Sequence, residues 1–129
     1  MQILQPSEWA KPRGYSNGVV ASGRLIFISG QIGWDEQERF RAADFVGQTR
    51  QALKNVITVL AEAGGKPEHI TRLTWYVVDK YEYMASYKEL GKVYRELMGE
   101  HYPAMTAVQV SALMEDMAKV EIEATAVIP

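Results

Sequence analysis

Apolar residues fall along this chain with two different periods. The run Arg24-Leu25-Ile26-Phe27-Ile28-Ser29 is compact, apolar and rich in β-formers, and Gly30 stops it, which predicts a strand over residues 24–29. A shorter strand is predicted over residues 15–21. Residues 31–41 read as a loop, with Gly33 and Trp34 near its start. Over residues 42–63 the period changes. Phe45, Val46, Thr49, Ala52, Leu53, Val56, Leu60 and Ala63 recur at three- and four-residue steps and form one helical stripe. Asp44 suits the positive end of that helix, and Gly64-Gly65 followed by Pro67 stop it. A strand is predicted over residues 70–78. A second helix follows over 81–98, with Met84, Tyr87, Leu90, Tyr94, Leu97 and Met98 as its stripe and Gly99 as its cap. Strands over 105–110 and 119–127 complete the chain. In the last one Val120, Ile122, Ala124 and Ala126 alternate with Glu121, Glu123 and Thr125. Residues 1–14, rich in proline and polar groups, read as an irregular lead-in, and residues 114–118 as a charged connector.

The resulting order, β-β-α-β-α-β-β, predicts an α+β fold: two one-sided helices covering one face of a four- to six-stranded sheet. The first long strand is apolar on both of its faces, so the uncovered side of the sheet needs burial as well. Oligomerisation is the simplest way for so short a chain to hide it.

Composition narrows the functions. The 129 residues suit one domain spanning 1–129, and a net charge of −2 carries no basic surplus that would suit nucleic acid. There are no cysteines, which removes disulfides, thiolate catalysis and cysteine-based metal sites. No stretch reaches the ~18 uninterrupted apolar residues of a membrane helix. The start lacks the basic region and long apolar run of a secretory signal, so a soluble cytoplasmic protein is expected.

No phosphate-binding glycine loop, dinucleotide fingerprint, nucleophile elbow or His-Glu-x-x-His helix occurs. His69 and His101 flank a strand and a helix and read as turn residues, so no metal is expected. Glu121 and Glu123 share one strand face. On an open strand they are solvated carboxylates. In an oligomer interface they would need a partner or a task, and a carboxylate beside a held water can orient it or take its proton.

Several segments resemble the Rid (YjgF) family. These are Tyr15-Ser16-Asn17-Gly18-Val19, Phe27-Ile28-Ser29-Gly30-Gln31-Ile32, Ala52-Leu53-Lys54-Asn55-Val56, Gly99-Glu100-His101-Tyr102-Pro103-Ala104 and Val120-Glu121-Ile122-Glu123-Ala124-Thr125-Ala126. They occur in the family's order across nearly the whole chain. The resemblance implies a chorismate-mutase-like mixed sheet and a homotrimer with small-molecule clefts between subunits. It also implies hydrolysis of reactive 2-imino or 2-enamino acids without metal or organic cofactor. By the same resemblance Tyr15 lines the cleft, the Gly30 backbone faces the ligand and Glu121 positions the attacking water.

The departures bear on the reaction. The deaminases carry arginine after the Pro-Ala pair, whereas Met105 follows Pro103-Ala104 here. That arginine would grip a carboxylate with two hydrogen bonds. A hydrogen bond to a charged group is worth ~1.5–3 kcal/mol, so its loss predicts roughly ten- to a hundredfold weaker binding of such substrates. Ala107 stands where the family usually has cysteine, and Gly91 where a helix asparagine often occurs. Arg13 or Arg24 could supply the missing charge from another direction, or both are plain surface residues. Trp34 either faces the cleft, making it more apolar with Met105, or simply packs. Two main readings follow: an imine or enamine hydrolase for a substrate other than a small 2-imino acid, and a non-catalytic trimer that binds a small metabolite or a partner protein. Ordinary deamination with Arg13 in the arginine's role is a third.

Overall fold

A computed structural model describes residues 1–129. In chain order its elements are β1 (Gln2–Leu4), β2 (Gly18–Val20), β3 (Arg24–Ile32), α1 (Phe45–Glu62), β4 (Ile70–Val77), α2 (Lys80–Ala85), α3 (Tyr87–Met98), β5 (Ala104–Gln109) and β6 (Val120–Ile128). The main sheet is ordered β3-β6-β4-β5. β6 pairs antiparallel with β3 on one edge and with β4 on the other, and β4 pairs parallel with β5. A parallel pair needs a crossover, which α2 and α3 supply. The architecture is therefore α+β, with three helices against a mixed sheet.

The pattern of β6 explains its interior position. Val120, Ile122, Ala124 and Ala126 are buried on one side, while Glu121, Glu123 and Thr125 face the other and are only half-covered. Leu73, Trp75 and Val77 of β4 and Ile28 of β3 join the buried side. Onto it α1 brings Phe45, Ala52, Leu53, Val56 and Leu60, and α3 brings Leu90, Val93, Tyr94 and Met98. Each large side chain so buried contributes roughly 1.5–3 kcal/mol over exposure. The opposite side of the sheet has no helix. On it Leu25 and Phe27 remain 63% and 75% exposed, so the apolar character of β3 on both faces is left uncompensated within one chain.

Three expectations are corrected. β3 does not stop at Gly30 but continues to Ile32, because Gln31 and Ile32 still pair with Ile122 and Glu121 of β6. The lead-in contains a strand, because Gln2, Ile3 and Leu4 pair antiparallel with Val20, Val19 and Gly18. Three residues are too few to display a period, and the ladder exists only through its partner. The second helix is two helices. Ser86 turns its hydroxyl onto the Glu82 carbonyl (2.7 Å) and takes non-helical angles, φ −100° and ψ 7°. Met84 and Tyr87, expected in the stripe, are consequently exposed, and Tyr83 packs inward beside Phe45 and Trp75. Asp44 is the N-cap itself, accepting from the Gly47 N–H at 2.9 Å. Gly99 ends α3 as expected, with φ 68° and its N–H on the Arg95 carbonyl.

Gln48 was absent from the expected stripe, yet α1 buries it almost completely. Its amide donates to the carbonyls of Ala42 and Met117 and accepts from the Lys119 N–H at 2.8 Å. One side chain thus fixes the chain where it enters β6. Leaving buried backbone groups unpaired costs about 1–3 kcal/mol each. Gln48→Leu is therefore expected to destabilise the fold by about 2–4 kcal/mol in urea unfolding, and an unchanged midpoint would mean that water replaces the amide.

Candidate active site

The regular pairing of β3 and β6 breaks at one place. Ile28 pairs with Ala124 and Gln31 with Ile122, so Ser29 and Gly30 together oppose the single residue Glu123. This is a β-bulge, which frees backbone groups from the ladder and bends the strand. The Gln31 amide covers the Ser29 carbonyl at 3.1 Å. Gly30 presses against the Glu121 carboxylate so closely that any Cβ at position 30 would collide with it. Glycine is required here by close approach, since its φ is ordinary.

Glu121 lies opposite Tyr76 of β4, on the helix-free side. The Tyr76 hydroxyl donates to Glu123 Oε1 at 2.6 Å, and that bond, with burial and the neighbouring carboxylate charges, raises the Tyr76 pKa above its ordinary value. A cleft of about 230 Å³ opens here, between Tyr76, Glu121 and Glu123 on the sheet and Val110, Leu113 and Met114 on the following loop. Glu121 has no hydrogen-bond donor or cation of its own in the chain, whereas Glu123 is held. A carboxylate so placed, beside freed backbone, can hold a water and accept its proton.

Tyr15 and Met105 lie elsewhere. Ser16 bridges to Ala104, its N–H donates to the Pro103 carbonyl and its hydroxyl to the Tyr102 carbonyl, which sets the exposed Tyr15 beside the start of β5. Met105 pairs with Leu73 and packs against the helix-covered core. Glu121 and Met105 therefore project to opposite sides of one sheet. Ala107 is in register with Trp75, whose ring meets Tyr83 at 6.0 Å, and Tyr83 meets Tyr87 at 5.3 Å. Trp75 Nε1 is the one buried side-chain nitrogen or oxygen without a hydrogen-bond partner.

Arg24 donates to the Ala63 carbonyl at 3.0 Å, at the far end of β3 from Gly30, so it serves the C-terminus of α1. Six residues of strand place it roughly 20 Å from the bulge. Arg13 is exposed, two residues from Tyr15, and forms no ion pair within the chain. Gly91 sits inside α3, where a Cβ would meet the Arg95 guanidinium at 3.2 Å. His69 Nδ1 accepts from the Lys66 N–H, and His101 Nε2 lies 2.7 Å from the Ile70 carbonyl. No group of three or more His, Asp or Glu side chains is close enough to hold a metal ion. Trp34 bridges to Phe40, its ring 5.9 Å away, and its carbonyl accepts from Asn55. Between Trp34 and Phe40 the Asp35 carboxylate accepts from the N–H groups of Gln37 and Arg39 and from Arg41 at 2.7 Å.

Sequence spacing brought out Glu121 and Glu123 but missed Tyr76, Trp75 and the loop at Val110–Met114. Tyr76 looked like ordinary strand filling. Its position opposite Glu121 follows from register, which one strand's sequence does not carry.

Comparison with known proteins supplies relatives. A family model described as Endoribonuclease L-PSP matches residues 7–128. A RutC family protein of Pyrococcus horikoshii is 36% identical over 126 residues, covering 97% of this chain and 96% of its own length. TdcF of Escherichia coli, which carries the provisional name reactive intermediate deaminase, is 34% identical over 108 residues, 81% of this chain and 80% of its own. Among solved structures, the Rid protein YyfB of Yersinia pestis superposes with a TM-score of 0.88 at 30% identity, covering 98% of each chain. A TdcF structure with bound serine gives 0.70 at 30% identity, covering 100% of both chains.

The Asp35 turn carries a pH signature. The hydrogen bond from Arg41, reinforced by two backbone N–H groups, holds the Asp35 pKa at about 2, against an ordinary 3.8. A carboxylate depressed on folding stabilises fully above its unfolded pKa, and that stabilisation is lost as pH falls through the folded one. Urea midpoints are expected to fall between about pH 4 and pH 2, and Asp35→Asn should flatten that part of the fall.

Proposed function

Since the chain belongs to the Rid (YjgF) family, we propose that it hydrolyses an imine or enamine at a cleft completed by a second copy of itself, on a substrate other than a small 2-imino acid. The observation that carries this reading is Glu121, which has no partner in the chain, stands against Gly30 at the bulge and borders an open groove. Water adds to the C=N carbon while Glu121 takes one of its protons and passes it to nitrogen; the proton of the resulting hydroxyl follows by the same route as the C–N bond breaks, ammonia leaves and the carbonyl forms. An enamine first gains a proton at carbon and then follows the same course. The step needs only water and a base.

Assembly of two copies would explain why the expected site is split. Glu121 and Met105 leave the sheet on opposite sides, and Tyr15 lies off the sheet beside the start of β5, so one chain does not close them around one ligand. Exposed Leu25 and Phe27 on the bare face favour burial against another copy. Three copies is the number implied by the family resemblance. TdcF with bound serine is a relative that holds an amino acid, the size of ligand envisaged.

Met105 favours the second reading, a trimer that binds a small metabolite or partner without chemistry, because it offers no charge and no donor. Arg13, exposed two residues from Tyr15 and free of ion pairs in the chain, is the cation that the third reading would use instead. Endonuclease activity, which the family description names, is disfavoured by a cleft with two carboxylates, since phosphodiester binding draws on cations.

Imine hydrolysis can be followed by letting a trapping amine compete for 2-iminobutyrate freed from threonine by a pyridoxal-phosphate dehydratase. The native chain is expected to be slow there, and Met105→Arg faster by roughly ten- to a hundredfold. Native activity already at the level of that variant would transfer the role to Arg13. On any substrate that turns over, Glu121→Gln should cost roughly 10²–10⁴-fold, and unchanged turnover would leave the non-catalytic reading. Phe27→Asp is expected to lower the light-scattering mass from three chains towards one. A native mass near one chain would overturn the assembly.

A further inference from the structure

We infer that Arg95, laid over Gly91 on α3, is the cation that holds the substrate, and that it grips a carboxylate set well away from the C=N carbon. For the reaction this rests on the reading above. For the cation it rests on one flank of α3.

α3 buries Leu90, Val93, Tyr94 and Met98. Tyr87, Gly91 and Arg95 recur at four-residue steps beside that stripe and so share one flank of the helix. The opposite flank carries Glu96, which meets Arg50 of α1 at 2.8 Å. α1 packs on β3 and β6, at the other end of the sheet from β5. The flank with Gly91 and Arg95 therefore faces the β5 edge. The Tyr94 ring, 5.4 Å from that of Tyr102 just ahead of β5, marks the same side. Tyr15 stands beside the start of β5 as well, so in the proposed assembly this is the edge that would meet the neighbour's Glu121.

Glycine is among the poorest residues inside a helix, and the φ of Gly91 is not one that demands it. The space it leaves is taken. A Cβ at position 91 would stand 3.2 Å from Arg95 Nη1 and 3.9 Å from its Cζ and Nη2. The guanidinium thus lies back along the helix on the glycine, a turn away from the terminal carbonyls that a cation in the last turn ordinarily serves. None of the chain's three ion pairs involves it. A seated guanidinium without a carboxylate of its own suits a carboxylate ligand, which its fork takes with two hydrogen bonds. Met105 offers no such grip. Residue 105 is on β5 itself, whereas a helix lying on the sheet holds its outer side chains off it by a helix radius, about 5–6 Å. A carboxylate gripped there is separated from the reacting carbon by several methylenes, which a 2-imino acid lacks. The chemistry balances for such a substrate: ⁻OOC–(CH₂)ₙ–CH=NH₂⁺ and water give ⁻OOC–(CH₂)ₙ–CHO and NH₄⁺, the C–O bond forming and the C–N bond breaking. The reaction class that supplies it is two-electron oxidation of an ω-amino acid.

2-Iminopentanoate and 5-iminopentanoate are isomers that differ only in this spacing. An amino acid oxidase acting on norvaline, and an amine oxidase that releases the free imine of 5-aminopentanoate, would generate them, with hydrolysis read against a trapping amine. In parallel, pentanoate and pentanamide would be titrated by NMR, which reads binding without turnover. A preference of about tenfold or more in kcat/KM for 5-iminopentanoate is expected. Arg95→Gln should raise the KM for it roughly ten- to a hundredfold with little change in kcat, and should weaken pentanoate but not pentanamide. Arg95→Lys should keep part of the preference, since it keeps the charge and loses the fork. Gly91→Leu should raise the urea midpoint, because leucine is the better helix former, and yet weaken pentanoate as Arg95→Gln does. An Arg95→Gln that lowers the urea midpoint and weakens both ligands alike would show a structural role and overturn the inference. Pentanoate bound no tighter than pentanamide by the native protein overturns it too, as does a preference that survives Arg95→Gln and is lost in Arg13→Gln. Preference for 2-iminopentanoate overturns the spacing. Pentanoate binding that depends on Arg95, with neither imine hydrolysed, supports the role of the cation and removes the hydrolytic reading.

Discussion

The rest of the structure depends on β6 pairing along both of its edges. A strand paired on one side only leaves a row of backbone donors and acceptors to water, whereas β6 commits both rows, to β3 and to β4. Its small and branched residues then define the floor on which α1 and α3 lie, and its carboxylates are carried to the other side at the same register. Core and cleft are thus two faces of one strand. A slip of one residue would exchange Ile122 for Glu121 and undo both.

The bulge at Ser29–Gly30 is where the β3–β6 ladder gives up that regularity. It is also where the backbone comes closest to a carboxylate with no partner of its own. A flat ladder would leave no slack there, and a side chain at position 30 would displace Glu121. The glycine and the extra residue act together, one supplying space and the other free backbone. On the opposite flank the Asp35 turn and the Gln48 clamp hold the chain segments on either side of this region, so the site rests on fixed supports.

The helix-free face is where the proposed assembly and the proposed chemistry would meet. It holds exposed Leu25 and Phe27 at one end and the Glu121 cleft at the other. A second copy that covered the apolar end could bring its Tyr15 edge to the cleft. The proposed assembly would then account for both the exposure of Leu25 and Phe27 and the separation of Tyr15 from Glu121.

Much of this was legible from the residues in order. Long elements with a sustained period, α1, β3, β4 and β6, stand where periodicity put them, because burying a stripe or an alternate set is a local requirement written in each segment. The Glu121–Glu123 pair was visible for the same reason, whereas Gly30 does not end β3 but sits in a bulge within it. Tertiary structure alone decided that Gln2–Leu4 is a strand, that Ser86 divides the second helix and that Gln48 is buried. It also decided that Arg24 is spent on a helix end and that Tyr76 meets Glu123. Each of these depends on a partner distant in sequence, and a hydrogen bond or register between remote segments leaves no period in either one. For the same reason the sequence determined which residues carry charge and apolar surface. Only the fold determined that Met105 and Glu121 leave the sheet on opposite sides.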